Sequence, residues 1–142
     1  MKVLRYSFML ILSGYSSMFA REKYINLRTF KKDLGAVDTP LWFVTFSERP
    51  DKFFAFTNST SGKVKRIKNN NTAEVCACDY KGKPKTPWKS ATVCQSEKVS
   101  DYSMVIDTCK KKYGWQMYVL EFFSATSNRR KNRAILEIQV RP

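Results

Sequence analysis

The chain has 142 residues, of which 43% are hydrophobic and 14% aromatic, which favours one domain with a single core and excludes a disordered chain. Lysine and arginine number 26 against 12 acidic residues, and this formal charge of +14 indicates an anionic partner such as nucleic acid, an acidic membrane surface or a phosphorylated small molecule. The sequence has no histidine, so it lacks the commonest general base and the commonest metal ligand. A basic surface that is merely solvated is the alternative explanation of the charge.

The first 20 residues form an N-terminal extension with two interpretations. Lys2 and Arg5 precede a short apolar run at residues 8–12, as in a weak signal peptide, and the run is too short to span a bilayer. Alternatively, Met18 is the true start and the preceding residues lie upstream of it. We favour the second interpretation and a cytoplasmic protein; the first implies export. In both cases we expect one folded domain at residues 21–142.

Six strands are predicted along this domain. Alternating polar and apolar residues indicate strands at 23–30 and 36–46, which form a hairpin. Pro40 places the second strand at a sheet edge or a bulge, because proline cannot donate to a ladder. Residues 52–57 form the third strand, residues 72–79 and 86–96 a second hairpin, and residues 134–140 the last strand.

Helices are predicted in two places between these strands. A short helix at residues 63–70 follows the third strand, with Val64 and Ile67 on one face. Apolar residues at helical spacing behind an N-capping Ser100 indicate a longer helix to about Gly114, before the last strand. An irregular helical piece at residues 115–123 and a polar, basic loop at residues 124–132 follow it. The fold class is mainly β (α+β), a small closed barrel.

Four cysteines are present, and their spacing does not suggest a zinc site. Cys76 and Cys78 lie two apart on a predicted strand and share one face, so we expect them to be small packing residues. A disulfide is an alternative only if the protein is exported. No metal site is expected.

Residues 56–66, with the sequence Phe-Thr-Asn-Ser-Thr-Ser-Gly-Lys-Val-Lys-Arg, are the strongest candidate for a binding site. Free amides at a helix N-terminus, several hydroxyl groups and a glycine that permits close approach are suited to a phosphate. Lys63 and Arg66 lie three apart and add two positive charges on the same helical face. The alternative is a capped basic helix that binds nothing.

Thr57-Asn-Ser-x-Ser-Gly-Lys63 resembles the flavin-phosphate motif of the pyridoxamine 5′-phosphate oxidase-like split barrels, and the longer pattern is similar to their flavin/deazaflavin (coenzyme F-420) oxidoreductase branch. The resemblance covers residues 22–140 and rests on five motifs in the order and spacing of that branch. The motifs are Thr39-Pro-Leu-Trp-Phe43, Ser61-Gly-Lys-Val-Lys-Arg-Ile67, Cys78-Asp-Tyr-Lys-Gly-Lys-Pro84, Pro87-Trp88 and Lys112-Tyr-Gly-Trp-Gln116.

The resemblance implies a six-stranded split β-barrel, a homodimer, and a cofactor at the subunit interface. It implies that Ser61, Lys63 and Arg66 hold the cofactor phosphate, within the motif that also contains Thr57, Asn58 and Gly62. The residues implied to line the cofactor ring are Thr39, Pro40, Leu41 and Trp42. Trp88 and Trp115 would close the pocket, although core packing is the plainer role for each of the three tryptophans.

The function implied is that of an oxidoreductase in which FMN or a deazaflavin (coenzyme F-420) exchanges a hydride with a small unsaturated organic substrate. No catalytic side chain is assigned, because the cofactor itself carries the hydride. The pyridoxamine phosphate oxidases proper have an arginine where Gly62 stands and a C-terminal substrate-binding segment that is missing here, which argues against vitamin B6 oxidation.

Two further interpretations accompany this one. The first is a non-catalytic flavin- or tetrapyrrole-binding carrier of the same fold. The second is a nucleic-acid-binding barrel, which we disfavour because the positive charges do not follow one stripe. For the basic runs at residues 110–112 and 129–131, we expect solvated faces or contacts with the anionic tail of a deazaflavin.

Overall fold

A computed structural model describes Phe19, residues 21–126 and residues 132–141. The strands are β1 (Tyr24–Phe30), β2 (Ala36–Leu41), β3 (Val44–Phe46), β4 (Arg49–Asn58), β5 (Thr72–Cys78), β6 (Lys89–Ser96) and β7 (Arg133–Val140). The helices are α1 (Gly62–Asn69), α2 (Val99–Tyr113) and α3 (Trp115–Thr126). Apart from Phe19, the predicted N-terminal extension lies outside the described residues, as do residues 127–131 of the predicted basic loop.

All seven strands belong to one antiparallel sheet in the order β2-β1-β5-β6-β7-β4-β3. β2 and β3 are the two edges of this sheet, yet only Trp42 and Phe43 separate them in the chain. The sheet therefore curls until its edges nearly meet, since two residues span at most roughly 10 Å. The edge position expected from Pro40 is confirmed.

The prediction of six strands in a closed barrel is wrong in two respects. The predicted strand at residues 36–46 is divided into β2 and β3, and the sheet order ends at these strands without joining them by hydrogen bonds. The division has a physical cause at Phe43, where both the backbone N–H and the carbonyl oxygen bond to the Tyr113 hydroxyl. These groups are thereby withdrawn from the ladder.

Two cores lie on opposite faces of the sheet. The interior core contains Ile25, Leu27 and Phe53, and the Phe19 ring lies 5.1 Å from the Phe53 ring. The second core packs α2 and α3 onto the outer face of the sheet, and its buried residues are Val44, Phe54, Val105, Ile106, Cys109, Tyr113, Met117 and Ile135. Side chains alternate between the two cores along β4, as a strand buried on both faces requires.

The helices agree with the sequence prediction except at their ends. The burial of Val64 and Ile67 on one face of α1 is confirmed. Helix α2 begins at Val99 with Lys98 as the N-cap, so the prediction of Ser100 as the cap is wrong. Asp101 anchors this first turn, because its carboxylate accepts a 2.7 Å hydrogen bond from Ser96 and complements the helix dipole.

Helix α3 is continuous to Thr126. The prediction of an irregular piece at residues 115–123 and of a loop from residue 124 is therefore wrong as far as residue 126. Met117 buries it against the second core. Among the described helices, none combines the length and apolar character needed to cross a membrane.

The packing role predicted for Cys76 and Cys78 is confirmed, since both side chains are buried. Burial raises the pKa of the Cys76 thiol to about 11 and that of Cys78 to about 12, which keeps both protonated and unreactive. Within the described residues, no group of three or more cysteine and acidic side chains is arranged to hold a metal ion.

Candidate functional site

The turn between β4 and α1 is built around the last residue of the strand. The Asn58 side-chain oxygen accepts hydrogen bonds from the Thr60 amide at 3.0 Å and from the Thr60 hydroxyl at 2.8 Å. The Asn58 carbonyl accepts another at 3.0 Å from the Ser61 amide. These bonds fix the start of α1, where the first helical amides have no acceptor within the helix and are available to a ligand.

Lys63 lies in the first turn of α1 and is held by the preceding strand. Its Nζ donates a 2.8 Å hydrogen bond to the Thr57 hydroxyl on the interior face of β4. Burial lowers the pKa of Lys63, and the neighbouring Arg66 cation lowers it further. The site thus brings two positive groups together at some electrostatic cost, which an anion would offset.

The Arg66 side chain is anchored on β1 and folds over the start of α1. Nε donates a 2.7 Å hydrogen bond to the hydroxyl of Thr29, a β1 residue only 1% exposed. The guanidinium folds back over the helix start, since a Cβ at Gly62 would lie 2.8 Å from Nη1. Gly62 therefore provides the space for this conformation. Thr29 is a site residue that sequence reasoning missed, and no local motif identifies it.

The Ser61 hydroxyl is buried and has no hydrogen-bond partner, and it does not cap the helix. A buried hydroxyl without a partner is unfavourable unless a ligand or water satisfies it. In the described part of the chain, no carboxylate forms an ion pair with Lys63 or Arg66. An orphaned hydroxyl at the start of the helix that carries Lys63 and Arg66 fits a phosphate group. That the six motif residues together bind one stays a prediction.

Three of the four predicted ring-lining residues, Thr39, Pro40 and Leu41, lie on β2, the edge strand beside β1. Val37 pairs with Thr29 and Thr39 with Leu27, so the Thr39 side chain shares a sheet face with Thr29, about 7–8 Å away diagonally. Leu41 is only 9% exposed and packs in the interior core. Pro40 is exposed and lies on the opposite face.

Trp42 lies at the corner between the two sheet edges, and α2 holds it there. Its ring stacks on Tyr113 with 4.3 Å between centroids and 9° between planes. The Tyr113 hydroxyl oxygen accepts a 2.9 Å hydrogen bond from the Phe43 amide. Its single hydrogen is shared between the Phe43 carbonyl at 3.0 Å and the Lys23 carbonyl at 2.7 Å. Burial raises the pKa of Tyr113 far above its usual value, so the hydroxyl stays protonated.

Lys112 supports the same corner, and the expectation of a solvated face is wrong for this residue. Its Nζ lies 3.0 Å from the Phe43 carbonyl and 3.5 Å from the centroid of the Phe43 ring. Burial lowers its pKa to about 8. Nothing in the sequence of the basic run at residues 110–112 distinguishes Lys112, which points inward, from its two neighbours.

Trp88 and Trp115 are placed elsewhere within one chain. The Trp88 ring lies 3.9 Å below the Arg28 guanidinium, on the face of β1 opposite to Thr29, and Arg28 also pairs with Asp38 at 2.8 Å. Trp115 is 73% exposed on α3. The described contacts therefore do not bring either tryptophan to the phosphate site, and their predicted role in closing the pocket stays a prediction.

Comparisons with solved structures identify the architecture. The heme storage protein HutZ from Vibrio cholerae superposes with a TM-score of 0.65 at 13% identity, over 92% of this chain and 91% of that chain. A pyridoxamine 5′-phosphate oxidase-like protein from Listeria innocua gives a TM-score of 0.61 at 8% identity, over 93% and 94% of the two chains. The chain has the pyridoxamine 5′-phosphate oxidase-like split-barrel fold.

An F-420 reductase is another split barrel of this kind, with a TM-score of 0.52 at 15% identity over 91% of this chain and 94% of that one. No protein-family model matches the sequence, and no curated protein matches it either. Structural similarity at identities this low shows the split-barrel fold alone, and the function has to be argued from the site.

Proposed function

We propose that this split barrel binds a flavin-type cofactor, either FMN or the deazaflavin coenzyme F-420, and uses it as an oxidoreductase on a small unsaturated organic substrate. One observation carries the proposal. The buried, unpaired Ser61 hydroxyl lies at the start of α1, where the Arg66 guanidinium and the half-buried Lys63 ammonium also converge. The site therefore has the donors and the charge that a cofactor phosphate needs.

Each residue around the phosphate would contribute a different interaction to binding. The Arg66 guanidinium supplies a planar pair of donors and Lys63 a point charge, while Thr29 and Thr57 orient them in advance. The amides at the start of α1 supply further donors. This preorganisation lowers the entropic cost of binding, because few rotamers must be fixed when the anion arrives.

The ring of the cofactor would extend from the phosphate site along β2. Thr39 offers a hydroxyl on the same face as Thr29. Trp42, held by Tyr113, packs against the second core on the outer face, so it would meet the ring around the β2 edge. β2 is an edge strand, so its outward N–H and C=O groups are able to bond to a polar ring edge. The bound cofactor supplies the hydride chemistry, and the protein contributes binding, orientation and exclusion of water.

A homodimer completes this proposal. The ring-lining strand lies at the sheet edge, and its Pro40 side chain is exposed in one chain. A second copy packed against this edge would cover the ring and leave a small substrate pocket between the subunits. Trp88 and Trp115 of either copy are the candidates for closing that pocket.

A carrier without turnover is the second candidate function, and the structural similarity to a heme storage protein favours it. The chain has no histidine, so a heme would need another axial ligand. The phosphate site instead favours a phosphorylated flavin as the cargo of such a carrier.

The test has two stages. The purified protein is equilibrated with FMN, coenzyme F-420 or haemin, and uptake is followed by absorbance; micromolar binding of a flavin-type cofactor is expected. Oxidation of the reduced cofactor by a panel of enones and quinones then separates an enzyme from a carrier. Binding without turnover would leave the carrier, and binding of neither flavin nor deazaflavin would contradict both functions.

A further inference from the structure

Helix α3 exposes five apolar side chains on one side. Trp115, Tyr118, Val119, Phe122 and Phe123 have exposed fractions of 73%, 61%, 45%, 67% and 61%. Their positions follow the i, i+3, i+4, i+7, i+8 pattern of one helical face. We call this set the aromatic stripe. So large a continuous apolar face on a surface helix marks an interaction site.

The charged residue of α3 lies on the other side of the helix. Glu121 is 7% exposed, and its carboxylate pairs with the Arg133 guanidinium. Met117 on the same side is fully buried. The acidic group is therefore neutralised inside the protein, and the aromatic stripe itself carries no charge.

Basic residues border the stripe where α2 ends. The Lys110 ammonium lies 5.9 Å from the centroid of the Tyr118 ring, and Lys111 next to it is exposed. One exposed acid, Asp107, lies a turn further back. The whole chain carries a formal charge of +14, so an anionic surface would attract this face.

We propose that the aromatic stripe docks on an anionic phospholipid surface, with its rings at headgroup depth and Lys110 and Lys111 on the lipid phosphates. Tryptophan, tyrosine and phenylalanine beside lysines are the residues of helices that lie in a membrane interface. A protruding helix face suits a flat bilayer better than a peptide, which needs a groove. This docking is peripheral, and it uses Trp115 in place of the pocket-closing role proposed above for that residue.

The test is co-sedimentation of the full chain with vesicles of three parts phosphatidylcholine to one part phosphatidylglycerol, and with pure phosphatidylcholine. Binding to the anionic vesicles is expected, with weaker binding as salt rises. The double variant Tyr118→Ser/Phe122→Ser should weaken the apparent partition coefficient roughly tenfold or more. Lys110→Gln/Lys111→Gln should weaken it by about an order of magnitude.

Tyr80→Ser is the matched control. Tyr80 is 66% exposed in the turn after β5, and the Lys81 ammonium lies 5.6 Å from its ring, so it imitates the Tyr118–Lys110 pair away from the stripe. This variant should bind vesicles like the wild type, and thermal unfolding checks that all variants fold.

Two results would overturn the proposal. One is that the wild-type chain does not bind anionic vesicles, as expected if a second copy or the first 18 residues cover the stripe. Sedimentation velocity of the wild type and of Tyr118→Ser/Phe122→Ser would then show whether a second copy is responsible. The other is that Tyr118→Ser/Phe122→Ser binds vesicles as strongly as the wild type, because another segment would then make the contact.

Discussion

Arg66 and Thr29 are joined by a 2.7 Å hydrogen bond from the guanidinium Nε to the buried hydroxyl. The bond connects α1, at the candidate phosphate site, to β1, the second strand of the sheet counted from the β2 edge. Because Nε is engaged, the two terminal nitrogens remain to meet an anion. The orientation of the charge is thus set by a residue 37 positions away in the chain.

Replacing Arg66 by glutamine should weaken FMN or deazaflavin binding by roughly ten- to a hundredfold, because charge-assisted hydrogen bonds to the phosphate are lost. Thr29→Val keeps the shape of the side chain but removes the hydroxyl that accepts the hydrogen bond from Arg66. It should weaken cofactor binding by a smaller factor, because the Arg66 charge remains. Isothermal titration calorimetry measures both. Lys65 is exposed on the same helix, so Lys65→Gln is the control. An equal loss of affinity in this variant would mean that Arg66 acts only through the net charge of the protein.

Gly62→Ala should weaken cofactor binding without unfolding the protein. The new Cβ would lie 2.8 Å from Arg66 Nη1, so the guanidinium must move from its position over the helix start. Only this flexible side-chain end is displaced, and alanine is a better helix residue than glycine, so the thermal midpoint should hold or rise. An unchanged dissociation constant would show that the folded-back conformation is not used in binding.

Tyr113→Phe should lower the free energy of unfolding by about 1–3 kcal/mol, since the buried Phe43 amide loses its acceptor. The ring and its stacking on Trp42 are retained. Urea unfolding measures the change, with the exposed Tyr118→Phe as the control. A variant as stable as the wild type would mean that Phe43 finds another partner.

Local patterns in the sequence were sufficient to predict most of the elements. Short-range preferences explain three of these predictions: the alternation in β1, the turn and capping residues before α1, and Pro40 on an edge strand. The break at Trp42–Phe43 was not predictable in this way, because it depends on a hydroxyl from Tyr113, 70 residues away. Tertiary contacts of this kind leave no periodic signal.

Lys112 should make stability depend on pH in the alkaline range. Burial lowers its pKa from 10.5 to about 8, although Cys109 and Glu22 act in the opposite direction. Between these values the unfolded chain binds a proton that the folded chain lacks, so the free energy of unfolding should gain a contribution that rises with pH.

The comparison of wild type with Lys112→Met isolates this contribution. In urea unfolding, the stability of the variant relative to the wild type should be highest below about pH 8 and decline toward about pH 10. The exposed Lys111→Met provides the control. A difference that stays constant with pH would show that Lys112 does not titrate in this window.

The candidate site was predictable only in part. Ser61, Lys63 and Arg66 stood out because they are close in sequence and share a helix start. Thr29 and Lys112 did not, since their contribution comes from the partners that folding gives them. Trp88 and Trp115 looked equivalent in the sequence, whereas one stacks under Arg28 and the other is exposed on α3.

Recognition of a cofactor phosphate by the start of α1 can be measured with paired titrations. FMN is compared with riboflavin, and coenzyme F-420 with its phosphate-free deazaflavin, by fluorescence titration of wild type and Arg66→Gln. We predict that one phosphorylated cofactor binds at least about tenfold more tightly than its phosphate-free analogue, and that Arg66→Gln abolishes most of the difference. Equal affinities within both pairs, or no binding of any of the four, would mean that the start of α1 does not recognise a cofactor phosphate.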